Sequence, residues 1–169
     1  METKKPDFES AIYTGAIVTA VVAMLPYVNV FIIPAFVIGG IVTVRKAVAR
    51  VCRPLELREG AKLGFLATFL GALGSAVVVD IIWQFFDYQL WQRQNAQLML
   101  GIFHSFASPE TLDKMTIAFE QSAAKSFAWY MIIVQLLSCA IMSGIFGTLT
   151  GVITAAATAK GATRTDTSV

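Results

Sequence analysis

The sequence predicts an all-α integral membrane four-helix bundle, built as two hairpins, with an extracytoplasmic interfacial helical segment between its third and fourth spans. Three observations carry that prediction. The 169 residues are 56% hydrophobic and only 14% charged, with a mean hydropathy of +0.68, well above the composition of an ordinary soluble domain. The apolar residues fall in blocks separated by charged punctuation, the pattern of segments that satisfy their own backbone hydrogen bonds in lipid. The basic residues gather at one set of block edges. The expected organisation is one membrane domain over residues 1–160 and a disordered tail over 161–169, where Gly, Thr, Arg and Asp leave nothing to bury.

The first span is expected over about residues 10–25. At 1.5 Å per residue it reaches only about 24 Å, so it must stand nearly upright in a ~30 Å hydrocarbon core. Lys4 and Lys5 ahead of it resemble the start of a secretory signal. Against cleavage, Asp7 and Glu9 intrude, no clear small-x-small site precedes Pro26, and a second apolar block follows almost at once. A retained span is expected, ended by Pro26, with Asn29 placed to cap the next helix.

The second span is expected over about residues 30–44, with Pro34 in its first turns, where proline is cheap, and the Gly39, Gly40 pair behind it. A basic loop follows, carrying Arg45, Lys46, Arg50, Arg53, Arg58 and Lys62, with Pro54 forcing the chain out of helix. The third span is expected over about residues 60–86, interrupted only by Asp80 and ending in Trp83, Phe85 and Phe86. The fourth is expected over about residues 127–154, with Trp129 and Tyr130 in an interfacial belt at its start.

The outer segment, about 84–124, is too polar to cross a bilayer yet carries apolar clusters such as Leu98 to Phe103, as surface-lying helices do. Ser108-Pro109-Glu110 is a helix start, after which Leu112, Met115 and Phe119 recur at helical spacing. Lys4, Lys5, Arg45, Lys46, Arg50, Arg53, Arg58, Lys62, Lys160 and Arg164 then share one side, against Arg93, Lys114 and Lys125 on the other. The excess puts both termini and the basic loop in the cytoplasm, and Trp83, Trp91 and Trp129 at the outer face. The expected location is a prokaryotic cytoplasmic (inner) membrane.

A ladder of small residues is the clearest motif. Gly60, Gly64, Ala67, Gly71 and Gly74 in the third span, and Ala140, Gly144, Gly147 and Gly151 in the fourth, form glycine-zipper seams at alternating spacings of four and three. Lipid tails are as apolar as leucine, so helices associate there by close backbone approach, which small residues permit. Packing within one chain is the simpler reading; a seam for oligomers or a partner is the alternative. Gly15, Thr19 and Ala23 also align with Gly64, Thr68 and Ala72, and the Gly40–Thr43 segment resembles Gly151–Thr154, as two duplicated hairpins would.

Asp80 is the acidic residue inside an apolar run, and Gln135 in the fourth span is placed to hydrogen-bond to it. A structural polar pair is the preferred reading, and an ion or proton pathway the alternative. His104 is the sole histidine; ordinary interfacial packing is preferred over ligation of a haem or pigment. No cofactor is predicted beyond bound lipid. Cys52 and Cys139 belong to different depths and should not bridge. No cluster has metal-ligand spacing, no phosphate-binding loop or nucleophile elbow appears, and no basic stripe with interleaved aromatics suits nucleic acid. No catalytic residue is therefore nominated, and the chain is expected to be non-enzymatic.

The run Arg58-Glu59-Gly60-Ala61-Lys62-Leu63-Gly64, behind a Gly-Gly-containing second span, resembles small prokaryotic four-span glycine-rich membrane proteins of uncharacterised function. Their pattern is Gly-Glu-Gly-Ala and then Gly at the opening of the third span; Arg58 stands here in place of the first glycine. The resemblance implies membrane residence and carries no catalytic residue. The expected role is an accessory or scaffold subunit packing against a larger membrane complex through its helix seams and outer apolar cap. Its partners would be the bilayer and other integral membrane proteins, in a hetero-complex or a homo-oligomer. A small oligomeric transporter or channel is the alternative.

Overall fold

The computed structural model describes residues 8–25, 32–86, 92–123 and 130–165. The expected turn over 26–29 with its Asn29 cap, the basic pair Lys4 and Lys5, Trp91, Lys125, Trp129 and the last four residues of the tail lie outside them. Six helices occupy the described residues. α1 is Glu9–Ala23, α2 Ile33–Val51, α3 Leu57–Phe86, α4 Gln92–His104 and α5 Pro109–Ala123. α6 is one continuous helix: α-helical stretches Tyr130–Met142 and Thr148–Thr165 are joined by a π-helical segment, Ser143–Gly147.

This arrangement corrects the expected four-span, four-helix bundle. Two helices among the described residues are long and apolar enough to cross a membrane, Leu57–Phe86 and the Ile132–Lys160 stretch of α6. α1 is apolar but has 15 residues, about 22 Å of helix. α2 has 19 residues, but it does not stop at Val44 as expected. Nothing between Val44 and Val51 breaks a helix, so Arg45, Lys46 and Arg50 ride on its last two turns. Its apolar part, Ile33 to Val44, reaches only about 18 Å. The charged loop of the sequence reading is thus largely helix, and α4 and α5 add two helices that are not spans.

Local chemistry explains where the helices begin and end. Glu9 lies in the first turn of α1, at the positive end of the helix dipole. Pro34 lies in the first turn of α2, and Cys52 closes that helix in a left-handed conformation, φ 52°, its N–H donating to the Val48 carbonyl at 2.9 Å. Pro54 prevents resumption. α3 opens with Glu59 reaching back to accept from the Glu56 N–H at 3.0 Å, half of a capping box. Glu59 also takes both guanidinium nitrogens of Arg53, at 2.7 and 3.0 Å, and this bond holds the Arg53 guanidinium above its ordinary pKa. α5 begins at Pro109 with the Ser108 hydroxyl accepting from the Thr111 N–H at 3.3 Å, and Glu110 pairs with Lys114 one turn on. α6 runs to Thr165, past the expected end of the membrane domain at 160.

α3 is the central helix: α1, α2 and α6 all pack on it, α1 also packs on α2, and α2 on α6. Ala11, Val44, Ala47, Leu55, Leu63 and Ala155 form one core cluster. It gathers the start of α1, the end of α2, the start of α3 and the end of α6 at one end of the molecule. Phe36, Ala72 and Cys139 form a second cluster. α4 and α5 pack on each other.

Candidate functional site

The interior is built from small and hydroxyl side chains, and the helices meet through them. Thr19, Thr43, Thr68 and Ser143 are fully buried. The first three threonines each turn their hydroxyl back onto the carbonyl four residues earlier, Thr19 to Gly15 at 2.8 Å, Thr43 to Gly39 and Thr68 to Gly64 at 2.7 Å. Each hydroxyl is therefore satisfied inside its own helix, which avoids the penalty of burying an unpaired donor. The same side chains fill the space left by glycines opposite. Thr43 stands where a β-carbon on Gly15 would go, Thr19 where one on Gly39 would go, and Thr68 where one on Gly147 would go.

The small-residue ladders divide accordingly. Gly60, Gly64 and Ala67 of α3 are buried, Gly60 and Gly64 lying directly on the Gly147 and Gly151 backbone of α6. Gly71 instead faces Ala16 and Thr19 of α1. Gly74 is exposed with nothing within 4 Å of where a β-carbon would stand; Ser75 and Ala76 take the buried side at that level. On α6, Gly147 and Gly151 face the core, but Gly144 has open space and Ala140 is only partly buried. Cys139 and Ser143 are buried in their place. The π-helical segment supplies the reason: its extra residue shifts the face of the preceding turns by one position, so a ladder drawn with α-helical spacing leaves the seam there.

Asp80 of α3 and Gln135 of α6 come together. With the Gln135 amide oriented to satisfy both groups, its nitrogen donates to the two carboxylate oxygens of Asp80 at 3.0 and 3.2 Å. Both residues are half-buried. Beside them a cavity of about 240 Å³ opens between Ala23 of α1, Phe36 of α2, Ala72 and Ser75 of α3, and Gln135 and Cys139 of α6. Met142, the last residue before the π-helical segment, also lines it. The sequence marked Asp80 and Gln135 but gave no sign of the cavity, which exists because α1 and α2 bring alanine and the first turns of a helix to this level.

His104 is exposed at the end of α4; nearby in the chain, the Phe103 and Phe106 rings lie with centroids 5.0 Å apart. Cys52 is exposed and Cys139 buried, both as free thiols. Among the described residues no group of three His, Cys, Asp or Glu side chains could hold a metal ion. No protein-family model matches this chain, and neither does any curated protein or solved structure. What stands is a helical protein with two long apolar helices, and the resemblance to small four-span proteins has no support from family or homology.

Proposed function

We propose that the protein is a non-enzymatic integral membrane protein that serves as an accessory or scaffold subunit of a larger membrane assembly. One observation carries the membrane reading: the distribution of side chains is inverted relative to a soluble protein. The buried seam is Gly, Ala, Ser and Thr, while Ile17, Val21, Ile133, Leu137, Leu149 and Ile153 point outward, each more than half exposed. Only 33% of the most apolar stretch of α3 and 17% of that of α6 is buried, where a core helix of a soluble protein would be mostly covered. Such an outer surface is stable against lipid and would drive aggregation in water.

In this reading α3 and α6 cross the bilayer, with α1 and α2 packed beside them. The end of the molecule that carries Arg45, Lys46, Arg50, Arg53, Arg58 and Lys62 faces the cytoplasm of a prokaryotic inner membrane. Both termini lie on that side. The docking element is the α4–α5 pair, which connects the far ends of α3 and α6 and leaves Phe106 and Ile117 exposed at 69% and 53%. Most of the seam glycines are already used inside the chain, which favours this cap over the glycine faces as the surface for a partner.

The test is purification in mild detergent at native abundance, with mass spectrometry of what co-migrates, run in parallel on a Phe106→Ser/Ile117→Ser variant. A partner membrane protein at fixed stoichiometry that is lost from the variant supports the reading. A monomer in both preparations contradicts it.

A further inference from the structure

The two halves of α6 are held very differently. The π-helical segment Ser143–Gly147 and the stretch Thr148–Thr165 behind it pack on both α2 and α3, and between them bury Ser143, Gly147, Thr150, Gly151, Thr154 and Ala155. The stretch before the segment, Tyr130–Met142, packs chiefly on α3, and from Ile132 to Met142 only Cys139 is buried. Gln135, Ser138, Cys139 and Met142 of this half nevertheless make one wall of the cavity, and α1, α2 and α3 make the others. The outer half of α6 thus stands off from α1 and α2 across an unfilled space, tied to α3 by the hydrogen bonds between Gln135 and Asp80.

The halves meet at the turn best suited to bending. A π turn is rare, recurs at functional sites and is one of the few features at which a long helix kinks sharply. The Ser143 hydroxyl is buried there with no hydrogen-bond partner among the described residues, and Gly144 has nothing within 4 Å of where a β-carbon would stand. Neither residue therefore pins the turn. A space lined mostly by apolar side chains also forfeits dispersion contacts that closure would recover.

We infer that the outer half of α6, Tyr130–Met142, is a lid hinged on Ser143–Gly147 and latched by Asp80 and Gln135, and that it closes the cavity against α1 and α2 when the latch opens. The lever is long enough. Gln135 lies eight residues before Ser143, about 12 Å along the helix. A bend of about 30° at the hinge carries it by about 6 Å, the width of a cavity of about 240 Å³. The lid does not depend on the docking role of α4–α5, whose test reads a partner rather than a distance.

Double electron–electron resonance on the full chain in nanodiscs tests it, in a Cys52→Ser/Cys139→Ala background. Spin labels at Val21→Cys on α1 and Ile133→Cys on the lid read its position, and a second pair, Ile17→Cys and Ile153→Cys, reads the other side of the hinge. Each pair should give a single distance in the parent. Asp80→Ala and Gln135→Leu should each add a shorter Val21–Ile133 distance, displaced by up to the cavity width, and the double variant should add no more than either. The Ile17–Ile153 distance should stay where it is. Deleting Gly144 from the Asp80→Ala chain removes the hinge and should restore the single longer distance; should that chain fail to fold, Ala76→Leu, which fills the cavity, is read in its place with the same expectation. An unchanged Val21–Ile133 distance in folded Asp80→Ala and Gln135→Leu chains overturns the proposal. So does equal broadening of both pairs, or a shorter distance that survives loss of the hinge or filling of the cavity.

Discussion

The hydroxyl of Thr43 occupies the place that a β-carbon on Gly15 would need, while Thr19 does the same to Gly39 across the same helix pair. The contact is reciprocal, a Gly-x-x-x-Thr step on α1 locked into one on α2. It recurs in part where Gly64 and Thr68 of α3 meet Gly147 of α6. Each threonine silences its own hydroxyl on the carbonyl of the glycine one turn back, so at these three positions the helices approach through a polar residue whose hydroxyl is satisfied, whereas the buried Ser143 hydroxyl of α6 has no partner among the described residues.

Steric use of glycine should separate the seam from its surroundings. Gly15→Ala is expected to cost about 1–3 kcal/mol, the usual cost of overpacking a filled interface. Gly74→Ala and Gly144→Ala meet nothing within 4 Å, and should instead stabilise by up to about 1 kcal/mol through helix propensity. Thermal melts followed by circular dichroism in detergent compare the three. Equal effects at all positions would remove the distinction.

Gly39 and Thr19 should be energetically coupled. A β-carbon at Gly39 meets the Thr19 side chain first, with the Gly15 carbonyl behind it at 3.1 Å. Gly39→Ala is expected to be destabilising in the parent and nearly neutral in a Thr19→Gly background. The double-mutant cycle should then give a coupling on the order of 1 kcal/mol or more; an additive cycle would mean the two residues do not share one space.

The π-helical segment makes a claim about chain length. Deleting Gly144, which is exposed, should let Ser143–Gly147 relax to an α-helix while Cys139 and Gln135 keep facing α3. Deleting Leu70, equally on the surface but in the regular helix α3, should rotate half of α3 off its partners. Folded yield and melting temperature are expected to survive the first deletion and collapse with the second.

The two cysteines report on packing independently. Cys52 should react with a maleimide in the folded protein, and Cys139 only after denaturation. Intact mass before and after unfolding should show one adduct and then two. Two adducts under native conditions would place Cys139 at the surface.

Legibility in the sequence followed how local the cause was. Ser108-Pro109-Glu110 announced the start of α5 because a cap and a proline act within one turn. Asp80 and Gln135 were legible as a pair because polar residues in apolar blocks are scarce. The end of α2 was misplaced because Arg45 and Lys46 were read as loop, although long basic side chains extend readily from a final helical turn. The four-span count failed with it. Ala140 and Gly144 were assigned to the seam because spacing rules assume 3.6 residues per turn, and nothing in Ser-Gly-Ile-Phe-Gly advertises a π-helical turn. The threonines were marked only as members of a repeat, since their packing role is decided by a glycine on another helix.

The proposal that the outward-facing apolar surface is covered by lipid is tested most directly by alkaline carbonate extraction of membranes from cells making the untagged chain. The chain should remain entirely with the membrane pellet and be released only by detergent. Recovery of a folded, monodisperse protein in the detergent-free supernatant would contradict the account.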